Sequence, residues 1–459
     1  MKKLIIYCLA GAAMLGTGCK KFMDVTPKGV FIPRTVAEYE LFLNDVLLAD
    51  ASYAYCELMT DDLAFTDARL AADNRTTRSY LWKQDLLKAT EDDGEWNNMY
   101  RNIYNCNLVL ANLSAATEGT AAEVNRLSAE AKIQRAYFYF NLVNLYGAGY
   151  QAASAASDPG VPLLLAPDLE AKTVRASVQA VYDQILKDLQ EALAVNELPV
   201  TGKTYVHPGK AAAHALLARV YLYMGNYAGA QQSAEAALSL KNTLLDYNTF
   251  SFVNPARPPI GVNGRPVPEN NPENIFSKTN GGNGMLSRFM ISPDLLNVLG
   301  EKDLRYVYTF SRLDNKGQPV TSPFPEYFAN SVNYSIGVPE MMLIKAECLA
   351  RNNHPAAAVT LLNTLRQKRF KPADYVALTA TSGAEALDLV LRERRLELLY
   401  HGLRWLDLKR LNREPRFQKT LTRTFQNNTY TLPPNDPLYL LQIAPKIIGI
   451  NPGIVQNPR

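Results

Sequence analysis

The run AAAHALLARVYLYMGNYAGAQQSAEAALSLKN, residues 211–242, sets the architecture. Small and apolar residues recur at helical spacing on both sides of Gly225-Asn226-Tyr227, so the run reads as two helices joined by a tight turn. Ala218, Ala230 and Ala237 would let these helices approach closely, with Tyr221 filling the gap above them. A weaker copy starts near Pro339. There Ala346, Leu349, Ala358, Leu362 and Leu365 take the matching positions, and Lys345 replaces the first leucine.

Set against the tetratricopeptide pattern, Leu217, Ala218, Tyr221, Ala230 and Ala237 occupy the Leu, Gly, Tyr, Ala and Ala slots. His214 falls in the first aromatic slot and reads as a packing residue. A helix pair of this kind buries its apolar face only by stacking on neighbours. Other segments supply them. Thr35-Val36-Ala37-Glu38 is a capping box before a face made of Tyr39, Phe42, Leu43, Val46 and Leu47. Helices resume near Trp96, and Thr120 to Glu123 caps one that runs through Ile133, Ala136, Tyr137 and Phe140 to Gly147. Another begins near Ser177, with Val178, Val181, Ile185, Leu189, Ala192 and Leu193 on one face. The expected fold is mainly α: a tetratricopeptide-like helical-repeat scaffold with repeats near 96–146, 177–242 and 337–370.

Two stretches lose the helical period and read as long, loop-rich insertions. Residues 50–82 carry Tyr53, Tyr55 and Phe65 and a polar run from Asp67 to Arg78, the pattern of an exposed excursion. Residues 242–336 hold Pro255, Pro258, Pro259, Pro266, Pro268 and Pro272, then Asn280-Gly281-Gly282-Asn283-Gly284, a turn without the lysine of a phosphate loop. Aromatic side chains on loops above a rigid base are a usual setting for binding. A sugar offers an apolar ring face and a rim of hydroxyls, which suits aromatic rings beside polar groups. Trp82 and Tyr80, close to Asp67, Arg69, Asp73, Asn74 and Arg75, supply both kinds, although Trp82 reads equally well as a core residue. The second insertion adds Phe289, Tyr306, Tyr308, Phe324, Tyr327, Phe328 and Tyr334. The candidate ligand-binding residues are Asp67, Arg75, Tyr80, Trp82, Tyr306, Tyr327 and Tyr334.

The chain of 459 residues is 47% hydrophobic and can bury a large core. Its 48 Lys and Arg against 44 Asp and Glu give a formal charge of +4 with no basic block, which argues against nucleic acid as a partner. The five cysteines are scattered without zinc-site spacing. The four histidines are isolated, and no HExxH, GxSxG, Walker or GxGxxG motif occurs, so no catalytic residue, metal or cofactor is expected. Asp61-Asp62 and Asp92-Asp93 read as solvated or capping acids, because adjacent carboxylates usually point apart while a glycosidase needs two that face each other.

At the N-terminus, Lys2 and Lys3 precede an apolar run from Leu4 to Leu15 and then Gly16-Thr17-Gly18-Cys19. The run is too short to span a bilayer, and small residues directly before a cysteine fit a lipoprotein signal. Residues 1–18 would be the signal, Cys19 the lipid attachment point, 19–34 a tether and 35–459 one folded unit. Cys8 would leave with the signal. Cys106 and Cys348 lie in helical patterns and read as buried thiols, while Cys56 stays unassigned.

Four blocks in order along the chain carry a resemblance. The segment CKKFMDVTP, 19–27, resembles the Cys-x-x-Phe-Leu-Asp-x-x-Pro start of mature SusD/RagB proteins, with Met23 in place of Leu. AKIQRAYFYFNLVNLYG, 131–147, resembles their AxxxRAYxYFxLVxLYG helix, and ERRLELLYHGLRWLDLKRL, 393–411, resembles their ERRxELxxEGxRWxDLxR hallmark, with His401 in place of Glu. The closing Asn451-Pro452-Gly453 and Gln456-Asn457-Pro458 are similar as well. In the hallmark region, 382–411, Ser382 to Glu385 is a further capping box. The alternating charges after it predict an ion-pair network that locks the last helix to the repeats, with Trp405 packed inside.

The resemblance implies a non-catalytic, lipid-anchored protein at the outer-membrane surface of a Gram-negative bacterium. It would capture oligosaccharides and deliver them to a SusC-like TonB-dependent transporter. It also implies use of the loop region around 67–82, whereas Tyr306, Tyr327 and Tyr334 rest on the aromatic argument alone. The alternatives are a member that binds peptides or other nutrients, a helical scaffold that binds only proteins and, last, a glycosidase.

Overall fold

The computed structural model describes residues 33–171, 173–280, 290–328 and 332–459. The expected signal, Cys19, most of the tether, Gly281 to Gly284 and Phe289 lie outside the described residues. Short segments lead into the stack: α1 (Val36–Leu43), α2 (Tyr55–Leu58) and α3 (Arg75–Tyr80). The long helices follow as α4 (Gly94–Asn112), α5 (Ala121–Tyr146), α6 (Val178–Leu193), α7 (Lys210–Met224) and α8 (Tyr227–Leu240). After α9 (Pro293–Leu299) and α10 (Leu304–Val307) the stack resumes with α11 (Val338–Arg351), α12 (Pro355–Arg366) and α13 (Gly383–Glu397). The chain ends on α14 (Arg404–Leu411) and α15 (Pro445–Ile450). Each long helix packs on the next, and α8 packs directly on α11 although residues 241–337 intervene. That is the mainly α, tetratricopeptide-like build expected from the repeats.

Local chemistry explains the helix ends. Both capping boxes form: Thr35 and Glu38, and Thr120 and Glu123, exchange side-chain and backbone bonds. Half of the third forms, since Ser382 accepts from the Glu385 N–H while Glu385 itself accepts from Thr381. Gly225 ends α7 at φ 74°, where a Cβ is disfavoured, and the Asn226 side chain caps α8. A Cβ on Gly229 would lie 3.0 Å from the Tyr221 ring, so Tyr221 does fill the gap at this turn. Lys345, the exception in the second repeat, bonds Glu235 on α8 at 3.1 Å, replacing an apolar contact with an ion pair between repeats.

Every residue from Ile133 to Tyr146 on α5 is buried, which marks it as the central helix. Its Arg135 makes a bidentate pair with Asp188 on α6 at 2.8 and 2.7 Å. One apolar cluster runs from Val36 to Ile454. The hallmark network also forms: Glu393 binds Arg305 and Arg366, Asp407 binds Arg394 and Arg410, and Glu347 binds Arg410 and Arg351. Trp405 is fully buried, its ring 4.6 Å from Tyr439.

Residues 50–82 depart in part from expectation. Residues 67–74 are largely exposed, as expected, but the flanking segments form an internal wedge in which Tyr53, Cys56, Leu58, Asp62 and Leu81 are buried. Asp61-Asp62 are not solvated either. Asp61 binds Arg404 at 2.8 Å and Lys419 at 2.8 Å, and Asp62 binds Arg395 at 2.7 Å. Burial works against ionisation of Asp61, but Arg404, Arg395 and Lys419 outweigh it and hold this carboxyl well below its usual range. Asp93 does cap α4, as read from the sequence. The first helix also ends earlier than its pattern predicts, at Leu43, and Val46 is 62% exposed. Cys56, Cys106 and Cys348 are buried free thiols.

The insertion after α8 holds α9 and α10 and strands of only two or three residues. A four-stranded antiparallel sheet in the order 63–64, 290–291, 326–327, 310–311 ties it to the internal wedge. Strand 274–276 pairs with 336–337, which brings the chain back to the start of α11.

Candidate functional site

A cleft of about 360 Å³ lies between this insertion and the turn that follows α13. One wall carries Tyr247, Phe250, Arg265, Tyr327 and Phe328; the other is the segment 396–401. The floor is an ion-pair lattice. Fully buried Arg369 binds Glu273 at 2.8 Å and Glu397 at 2.7 Å, and Arg305 binds Glu397 at 2.8 Å. Burial opposes the charge on Glu397, but Arg369 and Arg305 overcome it and lower its pKa, so the floor acid is an anion already matched by cations. The remaining cleft carboxylate, Glu340, is held by Arg219 through bonds of 2.8 and 2.6 Å.

The turn after α13 is shaped by two left-handed residues, Tyr400 at φ 60° and Gly402 at φ 77°. A Cβ on Gly402 would stand 2.4 Å from the Tyr334 ring and 2.6 Å from that of Tyr53, so only glycine fits. The turn sends the Tyr400 ring against Tyr327, with centroids 5.3 Å apart and planes near perpendicular. His401 lines the cleft beside it. Its Nδ1 is buried without a hydrogen-bond partner, and burial drops its pKa to about 4, so the ring is neutral at ordinary pH.

The cleft mouth is apolar and polar by turns. Ile260, 43% exposed, and Val267, 57% exposed, supply its apolar surface. Asn274 donates to the Pro268 carbonyl at 2.6 Å and accepts from Asn333 at 2.9 Å, which fixes two amides at the rim. Phe328 is half-buried, and the Arg265 guanidinium sits 5.8 Å from its ring centroid.

Of the residues proposed from sequence, Tyr327 lines this cleft. The others fall elsewhere. Tyr334 is buried beneath the turn, edge-on to Tyr53 at 5.1 Å. Tyr306 is half-buried and stacked on Phe310 at 6.0 Å. Trp82 is 4% exposed and donates its indole N–H to the Met59 carbonyl at 2.9 Å. Tyr80 is buried too, and the Arg423 guanidinium lies over both rings, 3.6 Å from Tyr80 and 4.4 Å from Trp82. Arg75 is spent on Asp93 at 3.1 Å and Glu95 at 2.9 Å. Asp67 is exposed and accepts from the Gln426 N–H. Arg265, Phe328 and His401 were not among the proposed residues. The signals available were the departure from the hallmark at His401 and the aromatic density around 324–334. Among the described residues, no three His, Cys, Asp or Glu side chains are placed to hold a metal ion. Nor is any described helix long and apolar enough to cross a membrane.

Stacked helix pairs with a loop-roofed, aromatic-walled cleft beside the last repeat define a helical-repeat protein with a loop-built cleft. Comparison with known proteins narrows the class. A SusD-like family model described as "Starch-binding associating with outer membrane" matches residues 21–222, and the SusD family model matches 338–459. A SusD-like protein of Formosa agariphila is 24% identical over 397 residues, 70% of this chain and 72% of the relative. The crystal structure of a SusD superfamily protein from Bacteroides thetaiotaomicron superposes with a TM-score of 0.73 at 23% identity, covering 93% of this chain and all of the other. A laminarin-binding SusD-like protein gives a TM-score of 0.63 at 20% identity over 93% of this chain and 99% of its own. The chain belongs to the SusD/RagB family.

Proposed function

We propose that this protein is a non-catalytic surface receptor that captures oligosaccharides in the cleft and passes them to a SusC-like TonB-dependent transporter. The observation that carries the reading is the cleft itself. It joins half-buried Phe328, Tyr327 and exposed Ile260 and Val267 to the Asn333 amide, held in place by buried Asn274. That pairing of apolar faces with hydroxyl-binding groups is what a pyranose ring requires. The carbohydrate ligand named for one structural neighbour and the starch-binding description of the family point the same way.

Within this reading Tyr327 belongs to the binding surface, and Arg75, Tyr80, Trp82 and Tyr334 serve packing. The transporter partnership and the lipid on Cys19 belong to the same proposal. An acylated Cys19 would hold the protein at the outer-membrane surface without a spanning helix. Affinity electrophoresis and calorimetry of the mature protein against laminari-, malto-, xylo- and pectin-derived oligosaccharides test the capture step. Binding of at least one series without release of shorter products is expected. A blank panel, or product formation, would overturn it. Palmitate labelling that disappears in Cys19→Ala tests the anchor, and co-purification of a large outer-membrane barrel tests the partner.

A further inference from the structure

Among the described residues, one guanidinium that lines the cleft has no carboxylate partner. Each carboxylate lining the cleft is met by a guanidinium: Glu273 and Glu397 by Arg369, Glu397 also by Arg305, and Glu340 by Arg219. Arg265 differs. Its Nη2 donates to the Tyr308 carbonyl, and no carboxylate among the described residues forms an ion pair with it. Burial lowers its pKa, opposed only weakly by the Tyr247 and Tyr327 phenols. The remaining guanidinium N–H groups have no bonded partner among the described residues, and none of these nitrogens is sealed from solvent. They sit beside the half-buried Phe328 ring.

A guanidinium that bonds one carbonyl and lines an open cleft keeps N–H donors free for an anion. Its planar fork matches a carboxylate with two parallel bonds. Phe328 offers a ring face next to that fork. We infer that the cleft is built for an acidic sugar, with Phe328 against the pyranose ring and Arg265 on the carboxylate of a uronate residue. This inference rests on the glycan-capture reading above and names the substrate class for it. The near-neutral charge of the whole chain is compatible with it, since selection comes from one local charge rather than a field.

The test is calorimetry of the mature protein with oligogalacturonate and oligomannuronate, each beside its methyl ester. The ester keeps ring and linkage and removes only the charge, so its comparison with the acid isolates the carboxylate. A sulfated oligosaccharide arm separates a carboxylate from any anionic sugar. At least one acid form should bind about tenfold or more tightly than its ester, with the difference shrinking in high salt. Arg265→Gln should remove that preference, leaving acid and ester equal, and Arg265→Lys should keep part of it. Phe328→Ala should weaken acid and ester together. Thermal melts of each variant confirm folding, and the lysine variant keeps the charge question open to test if the glutamine variant does not fold. Neutral oligosaccharides binding with no acid preferred over its ester would overturn the inference while sparing glycan capture. So would a preference that survives Arg265→Gln, or a sulfated ligand preferred over every uronate. No saccharide bound at all would overturn both readings.

Discussion

Residues 50–82 sink into the molecule on ion pairs to the C-terminal helices, whereas residues 242–336 stand over the end of the helix stack and enclose a cleft. Both stretches are polar, aromatic and without period. The difference lies in where their charges find partners. In the first, Asp61, Asp62 and Arg75 each meet an opposite charge, and no large apolar side chain of the stretch is among those left exposed. In the second, Arg265 meets a carbonyl but no carboxylate among the described residues, and Val253, Ile260 and Val267 stay 43–57% exposed. Charges paired within the fold mark the first stretch as a structural part. The proposed binding surface rests on the guanidinium and the aliphatic side chains that the second leaves open.

The comparison breaks most sharply at Trp82. If the first stretch is a structural wedge, Trp82→Ala should cost about 3–5 kcal/mol through the lost ring and the cavity left behind, read as a lower urea midpoint. An unchanged midpoint together with a lost ligand affinity would return Trp82 to the binding surface. Arg395→Ala comes next. It strips the buried Asp62 of its partner, but burial already raises the Asp62 pKa, so the carboxyl can take up a proton; the cost should sit near the low end, about 3 kcal/mol.

Glu57 gives the wedge a pH signature. Its carboxylate accepts the Gly402 N–H, and burial, aided by Asp62 and opposed by that bond, raises its pKa to about 8. The folded chain keeps a proton that the unfolded chain releases near pH 4.5, so the stability from this group is full below pH 4.5 and is lost as pH climbs through 8. Glu57→Gln keeps an acceptor for Gly402 and removes the titration. Relative to the parent, the variant should gain stability on the order of 2 kcal/mol between pH 6 and 8, seen as diverging urea midpoints. Parallel pH profiles would mean that Glu57 is ionised in the fold.

The helix stack was legible because its signals are local. Capping pairs three residues apart and alanines at repeat spacing report on their own helix and its neighbour, and they led to the helical repeats that the structure shows. Lys345 read as a blemish in the repeat, since its partner Glu235 lies on another helix. The same limit hid the nature of the wedge, because Asp61 and Asp62 are satisfied by Arg404 and Arg395 from the far end of the chain. The cleft was the least legible part. Tyr327 was found as one aromatic among many, but the approach of Arg265 to Phe328, and of both to the turn at His401, depends on strands of two or three residues with no periodic signature.

The smallest stability effect should come from Phe328→Ala. Phe328 is half-buried at the cleft wall and lies outside the apolar core cluster that holds Tyr327. Removing its ring takes away surface that is already partly in water, so the folded state should lose about 1 kcal/mol or less. The bound state should lose more: a ring face against a sugar contributes about 1–1.5 kcal/mol, close to tenfold in affinity. That inverts the order set by Trp82→Ala, where stability falls and any loss of binding follows from unfolding. If Phe328→Ala instead lowered the urea midpoint as far as Trp82→Ala does, the second stretch would be a wedge like the first. The contrast between an internally satisfied loop and a ligand-facing one would then fail.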